Sequence, residues 1–94
     1  MPRVVVTVGA ADELRRMVRT HSLPADTGRR VARSLTVLEA FPELGPALVG
    51  RWEGYRFILG PWSWMVLVYE VIGDEVAVVT IQDARSSSAA SGSR

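Results

Sequence analysis

The residues of this 94-residue chain best equipped for chemistry are its arginines and tryptophans. All 11 basic residues are Arg, balanced by 10 carboxylates to a net charge of +1. A guanidinium is a planar fork that matches phosphate oxygens two at a time, although a biased genome composition explains an all-Arg chain equally well. With so small a net charge, any attraction for an anion must come from local clustering. Arg56, placed by strand alternation on an open sheet face, and Arg51 at that strand's entrance form one such cluster. Arg15, Arg16 and Arg19, and then Arg29, Arg30 and Arg33, form two more, whose plainer reading is solvated helix faces relieved by Asp12, Glu13 and Glu39. Trp62 and Trp64 flank Ser63 and can point to the same side of the chain. Such a pair can stack on bases or fill a partner's pocket, or simply join Trp52 in an aromatic cluster at the sheet end. The chain has no Cys and a single His, so neither a disulfide nor a metal centre is expected, and no cofactor motif is present.

The elements that must position these groups follow from hydrophobic periodicity. Val4 to Val8 is a β-branched run ended by Gly9 and predicts a buried first strand. Ala10 to Arg19 has helical spacing, with Leu14, Met17 and Val18 on one face, Asp12 and Glu13 in the first turn, and an Asp12 to Arg16 pair. A second helix opens near Pro24 to Asp26, carries Val31, Leu35 and Leu38 on one stripe, and stops before Pro42. Three strands follow. Glu53 to Leu59 alternates, with Tyr55, Phe57 and Leu59 assigned to the core side and Arg56 and Ile58 to the open side. Trp64 to Val71 puts Met65, Leu67, Tyr69 and Val71 towards the helices and Trp64, Val66, Val68 and Glu70 outwards. Val76 to Gln82 follows a Gly73-Asp74 hairpin signal.

The order β-α-α-β-β-β predicts an α+β domain spanning residues 1–85, with a helical hairpin packed on one face of a small, mainly antiparallel sheet. Ser86 to Arg94, built of Ser, Ala, Gly and one Arg, is expected to be a flexible tail. Nearly half the residues are hydrophobic (48%) and 22% are charged, the balance of a soluble globular protein. No apolar run is long enough to span a membrane, and the segment after Met1 is too short for a signal peptide, so a cytoplasmic protein without membrane contact is expected. Helices cover one sheet face only, which leaves the other face, with its Val66 and Val68, for solvent, a partner or a homodimer.

From Leu38 to Arg85 the residues also carry a pattern. Phe41-Pro42-Glu43-Leu44-Gly45-Pro46-Ala47-Leu48 is followed by Gly54-Tyr55-Arg56, Val68-Tyr69-Glu70-Val71, Gly73-Asp74-Glu75-Val76 and Ile81-Gln82-Asp83-Ala84-Arg85. This resembles the RelE/ParE superfamily of bacterial toxins, in which a helix end with Pro and Gly precedes a Tyr-Arg strand, a Val-Tyr strand, a hairpin and a last strand leading into Arg. The resemblance implies the toxin of a type II toxin–antitoxin pair, held inactive by a cognate antitoxin. For the nuclease branch it implies an mRNA interferase that cuts mRNA on the ribosome, with Arg56 and Arg85 as the catalytic, phosphate-gripping residues and Arg51 assisting. The pattern departs from that branch at Ile58 and Val66, where basic residues are usual, and after Arg85, where no Tyr or His follows. Those departures keep open two alternatives: a non-enzymatic toxin of the kind that inhibits DNA gyrase, and an attenuated toxin that mainly binds its antitoxin.

RNA cleavage through a 2′-hydroxyl needs a proton acceptor, a proton donor and positive charge for the phosphorane. Arg56 and Arg85 meet the last requirement. For the others the sequence offers only weak candidates. Glu53 has core-side parity, Tyr69 alternates with the core residues, and His21 falls in the interhelical loop, where it reads as a surface residue. The Trp62–Trp64 pair is the expected contact for the antitoxin.

Overall fold

The computed structural model describes residues 2–85; the tail expected at 86–94 lies outside them. Strand β1 (Arg3–Val6) is followed by helices α1 (Val8–Thr20), α2 (Thr27–Leu35) and α3 (Val37–Ala40), a 3-10 turn at Gly50–Trp52, and strands β2 (Arg56–Leu59), β3 (Met65–Ile72) and β4 (Glu75–Asp83). The sheet order is β1-β4-β3-β2, with β1 parallel to β4 and the other two pairs antiparallel. Its helix-facing side holds Met65, Leu67, Tyr69, Val76, Val78 and Ile81 against Ala10, Met17, Val31, Leu35 and Leu38. The predicted class and architecture are therefore those observed. None of the helices among the described residues is long and apolar enough to cross a membrane.

Local chemistry moves several boundaries. Thr7, expected in the first strand, instead caps α1: its Oγ1 accepts from the Ala10 N–H at 3.2 Å and donates to the Val78 carbonyl at 3.0 Å. A hydroxyl that satisfies an orphan helix N–H outweighs the β propensity of Thr-Val at this point. Val8 and Gly9 consequently lie inside the helix, Asp12 and Glu13 fall beyond its first turn, and Asp12 pairs with Arg15 rather than Arg16. The predicted second helix breaks at Thr36, which separates α2 from α3.

The largest correction concerns β2. Cross-strand neighbours share a face, and the register pairs Arg56 with Tyr69 and Ile58 with Leu67. Arg56 and Ile58 therefore look towards the helices, and Phe57 and Leu59 look away, the reverse of the expected parity. The alternation inferred from Glu53 onwards began in a turn, because Glu53 ends the 3-10 segment and Gly54 adopts φ +96°. Within the true strand every residue but Arg56 is apolar, so the pattern carries no signal of which side is wet. The outer strip is also less open than expected: Val68, flanked by Phe57 and Thr80, is buried.

A β-bulge in β4 sets the other end of the sheet. Tyr69 pairs with Val78 and Val68 with Thr80, leaving Val79 as the extra residue. The bulge reverses the alternation of β4. Val76 and Val78 before it and Ile81 after it all reach the helix side, and so does Asp83, the partner of buried Met65. Beyond Val6, β1 no longer covers the edge of β4. There Glu13 of α1 takes its place, accepting at Oε1 from the Ile81 N–H at 3.1 Å and the Thr80 hydroxyl at 2.8 Å.

Candidate functional site

Two groups of polar and aromatic side chains occupy opposite ends of β3. The first is built on Arg56 and Tyr69. Arg56 Nη1 donates to the Gly45 carbonyl at 2.8 Å and the Glu43 carbonyl at 3.3 Å, and the Gly45 N–H donates to the buried Tyr69 hydroxyl at 3.0 Å. Gly45 is thus held through both of its backbone polar groups by one cross-strand pair. A Cβ there would sit 2.1 Å from the Phe57 carbonyl oxygen and 2.9 Å from the Tyr69 hydroxyl, so only glycine fits. Arg56 and Tyr69 fasten the segment between α3 and β2. Nearby, Arg51 lies in the exposed 3-10 turn with its guanidinium 6.0 Å from the Trp52 ring, and Trp52 packs edge-on against Tyr55 rather than joining the other two tryptophans.

The second group stands where β4 ends and β3 begins. Trp62 and Trp64 stack with ring centroids 5.9 Å apart, so the side-by-side placement expected of them is real. Arg85 lies with its guanidinium carbon 4.4 Å from the Trp64 ring and forks onto Asp83, Nε to Oδ1 and Nη2 to Oδ2, both at 3.1 Å. The His21 ring stacks on Trp64 at 5.2 Å, and its Nε2 is 2.8 Å from Asp83 Oδ2. On the far side, Arg30 lies 5.9 Å from the Trp62 ring while its Nε bonds the Asp26 carboxylate at 3.0 Å. The result is a run of planar groups ordered by cation–π and stacking contacts.

The electrostatics centre on Asp83. Its bond from Arg85, and then that from His21, hold the Asp83 carboxyl far below the usual carboxylate range, and Asp83 in turn raises Arg85. Arg30 likewise lowers Asp26. Asp83 is therefore a fixed anion, and the Arg85 fork keeps its remaining N–H groups for another acceptor. The Asp83 and His21 side chains are 13% and 30% exposed. With Glu13, Arg16, Thr20 and Gln82 they line a cleft of about 340 Å³.

Of the residues singled out from the sequence, the structure brings together Trp62, Trp64 and Arg85 and leaves Arg51 and Arg56 apart from them. Arg56 stands opposite Tyr69, whereas Arg85 lies past the Met65–Asp83 pair. Four residues of extended strand separate those levels by roughly 13 Å, with β3 lying between the two side chains. Arg56 and Arg85 do not converge on one phosphate. Sequence reading set His21 aside as a surface residue and passed over Asp83. Asp83 could have been found from its i, i+2 spacing to Arg85; His21 could not, because its contact with Asp83 spans 62 residues and no local pattern reports it.

The architecture is that of the RelE/ParE-type toxins. A chain of the chromosomal ParDE toxin–antitoxin system of P. aeruginosa superposes with a TM-score of 0.70 at 15% identity, covering 88% of this chain and 96% of that one. A toxin from Helicobacter pylori gives 0.65 at 18% identity over 88% and 94% of the two chains. YafQ from E. coli gives 0.61 at 11% identity over 88% and 93%. At these identities the likeness is one of fold. Neither a family model nor a curated protein matches at the level of sequence.

Proposed function

We propose that this chain is the toxin of a type II toxin–antitoxin pair and that it inhibits translation by cutting mRNA on the ribosome. The toxin reading is supported by a fold shared with toxin chains over 88% of the sequence. The nuclease reading rests on one observation: Arg85, the residue that the resemblance assigns to phosphate, is held against Trp64 by Asp83 at the exposed end of β4. A guanidinium preset beside an aromatic surface is suited to a phosphodiester whose neighbouring base is unstacked. The cognate antitoxin has two candidate seats. One is the Trp62–Trp64 pair. The other is the apolar groove of about 390 Å³ between α1 and α2, lined by Val6, Leu14, Val31 and Leu35 and bordered by edge strand β1, which can take an added strand.

A second reading, a non-enzymatic toxin of the gyrase-inhibiting kind, draws on Arg56. The other arginine assigned to catalysis spends its guanidinium on the Glu43 and Gly45 carbonyls. Inducible expression in a bacterial host without antitoxin separates the readings, comparing wild type with Arg85→Ala while mapping mRNA 5′ ends and DNA supercoiling. Arrest with new cuts in translated messages, lost in the variant, is the expected result. Arrest with intact messages and altered supercoiling transfers the case to gyrase, and absence of arrest leaves an antitoxin-binding module.

A further inference from the structure

The geometry points to His21 as the proton acceptor of the RNA-cleaving site, oriented by Asp83 and acting beside Arg85. The inference rests on the nuclease reading above and names a residue outside the pattern that suggested it. His21 is the C-cap of α1: its N–H bonds the Met17 carbonyl at 2.9 Å, and the next residue, Ser22, turns the chain with φ +52°. That reversal projects the imidazole towards the end of β4. Three contacts then fix it: the Trp64 face at 5.2 Å, Asp83 Oδ2 at 2.8 Å from Nε2, and Thr20 Oγ1 at 2.8 Å from Nδ1.

Because Asp83 is held as an anion, it accepts from His21 Nε2–H, and this selects the tautomer whose Nδ1 carries a lone pair. The Thr20 hydroxyl occupies that lone pair and marks where a substrate hydroxyl would sit. It has an alternative acceptor in the Met17 carbonyl at 3.4 Å, so it can yield the position. A carboxylate that orients an imidazole, which in turn faces a hydroxyl, is the arrangement that activates an oxygen nucleophile. Asp83 binds Arg85 through the same carboxylate, which sets base and cation in a fixed relation. The charged groups around the ring are Asp83 and Arg85 from the end of β4, with Glu13 and Arg16 of α1 lining the same cleft.

In the step assigned to this site, His21 Nδ1 takes the proton of a ribose 2′-hydroxyl. The 2′-oxygen forms a bond to the adjacent phosphorus, Arg85 faces the charge that grows on the non-bridging oxygens, and the P–O5′ bond breaks. The 5′-oxygen leaves with the bonding electron pair and takes a proton from water, giving a 2′,3′-cyclic phosphate and a 5′-hydroxyl. Neither Arg56 nor Tyr69 enters this step.

The test is single-turnover cleavage of a short mRNA on purified bacterial ribosomes, comparing wild type, His21→Gln, His21→Ala and Asp83→Asn, with melting temperatures measured in parallel. His21→Gln and His21→Ala should cleave about 100-fold to 10,000-fold more slowly, the range for loss of a general base. Their pH–rate profiles should differ from that of wild type, and added imidazole should restore cleavage by His21→Ala. Rescue of the rate by imidazole with no change in the melting temperature of His21→Ala separates a proton acceptor from a merely structural His21. Wild-type cleavage matched in rate and pH profile by a folded His21→Gln overturns this inference and leaves the nuclease reading intact. A wild type that makes no cut overturns both.

Discussion

Replacing Arg56 by Ala tests whether this arginine is part of a reaction site or part of the scaffold. Its guanidinium makes two bonds to main-chain carbonyls, a part-buried one at 2.8 Å to Gly45 and an exposed one at 3.3 Å to Glu43. A charged hydrogen bond contributes about 1.5–3 kcal/mol when well formed and buried. The exposed bond contributes little, and water can reach part of the space left by the guanidinium, so a loss of about 1–2 kcal/mol is expected. For a domain of this size, each kcal/mol corresponds to a fall of about 4–8 °C in melting temperature, which places the change at about 4–16 °C. Circular dichroism melts of wild type, Arg56→Ala and Arg56→Lys would read it. Lysine should recover part of the loss, since an ammonium can satisfy one of the carbonyls. At a temperature where Arg56→Ala remains folded, growth arrest on induction should persist. An unchanged melting temperature together with lost arrest would refute this reasoning and return Arg56 to the reaction site.

Gly45→Ala should be more damaging than Arg56→Ala, because its Cβ would meet the Phe57 carbonyl oxygen at 2.1 Å; a soluble variant that melts within a few degrees of wild type would count against the clamp. The Asp83–Arg85 pair predicts an acid-side signature. The folded-state Asp83 carboxyl lies below its usual value of 3.8, with Arg85 the main cause, so the pair adds stability above that value and loses it as pH falls towards the depressed one. In a His21→Gln background, the gap in urea midpoint between Asp83 and Asp83→Asn should hold from pH 7 to about 5 and narrow below about 4; a gap constant down to pH 2 would contradict it. For the antitoxin, Ala32→Arg in the α1–α2 groove and Trp62→Ala in the indole pair probe the two seats separately. Loss of about tenfold or more in calorimetric affinity, at least 1.4 kcal/mol, should come from one substitution and not the other, and loss from neither would remove both seats.

The fold was legible in the sequence because its main signals are periodic and local. The Leu14–Met17 and Val31–Leu35–Leu38 stripes, the Gly73-Asp74 hairpin and the Met65–Leu67–Tyr69 alternation each announce an element by itself, and the element order then leaves few ways to pack it. Legibility failed where one polar group decides the local outcome. Thr7 became a cap because its hydroxyl found the Ala10 N–H, and strand propensity has no term for that bond. Arg56 faced inwards because the Gly45 and Glu43 carbonyls offered it acceptors 11 and 13 residues back in the chain. For the candidate site, Trp62, Trp64 and Arg85 were visible as residue types near a sheet end. The His21–Asp83 contact that turns them into a reactive arrangement was not.

That difference has a single structural origin in β4. With strict alternation from Val76, the strand would send Thr80 and Gln82 towards the helices and turn Ile81 and Asp83 outwards. The extra residue at Val79 inverts this, burying Ile81 in the core and bringing Asp83 to the side on which the α1–α2 connection lies. His21 can then reach it, and the same carboxylate can fork Arg85 onto the Trp64 face. Glu13 stabilises the edge just past the bulge by accepting the Ile81 N–H and Thr80 hydroxyl. Pairing Val79 with Val68 in a regular ladder, with no residue removed, would turn Ile81 out of the core and Asp83 away from His21 together. Stability and the His21–Asp83–Arg85 geometry are thus coupled through one backbone irregularity. The scaffold that places the reactive groups is also what hides them from a reading based on alternation.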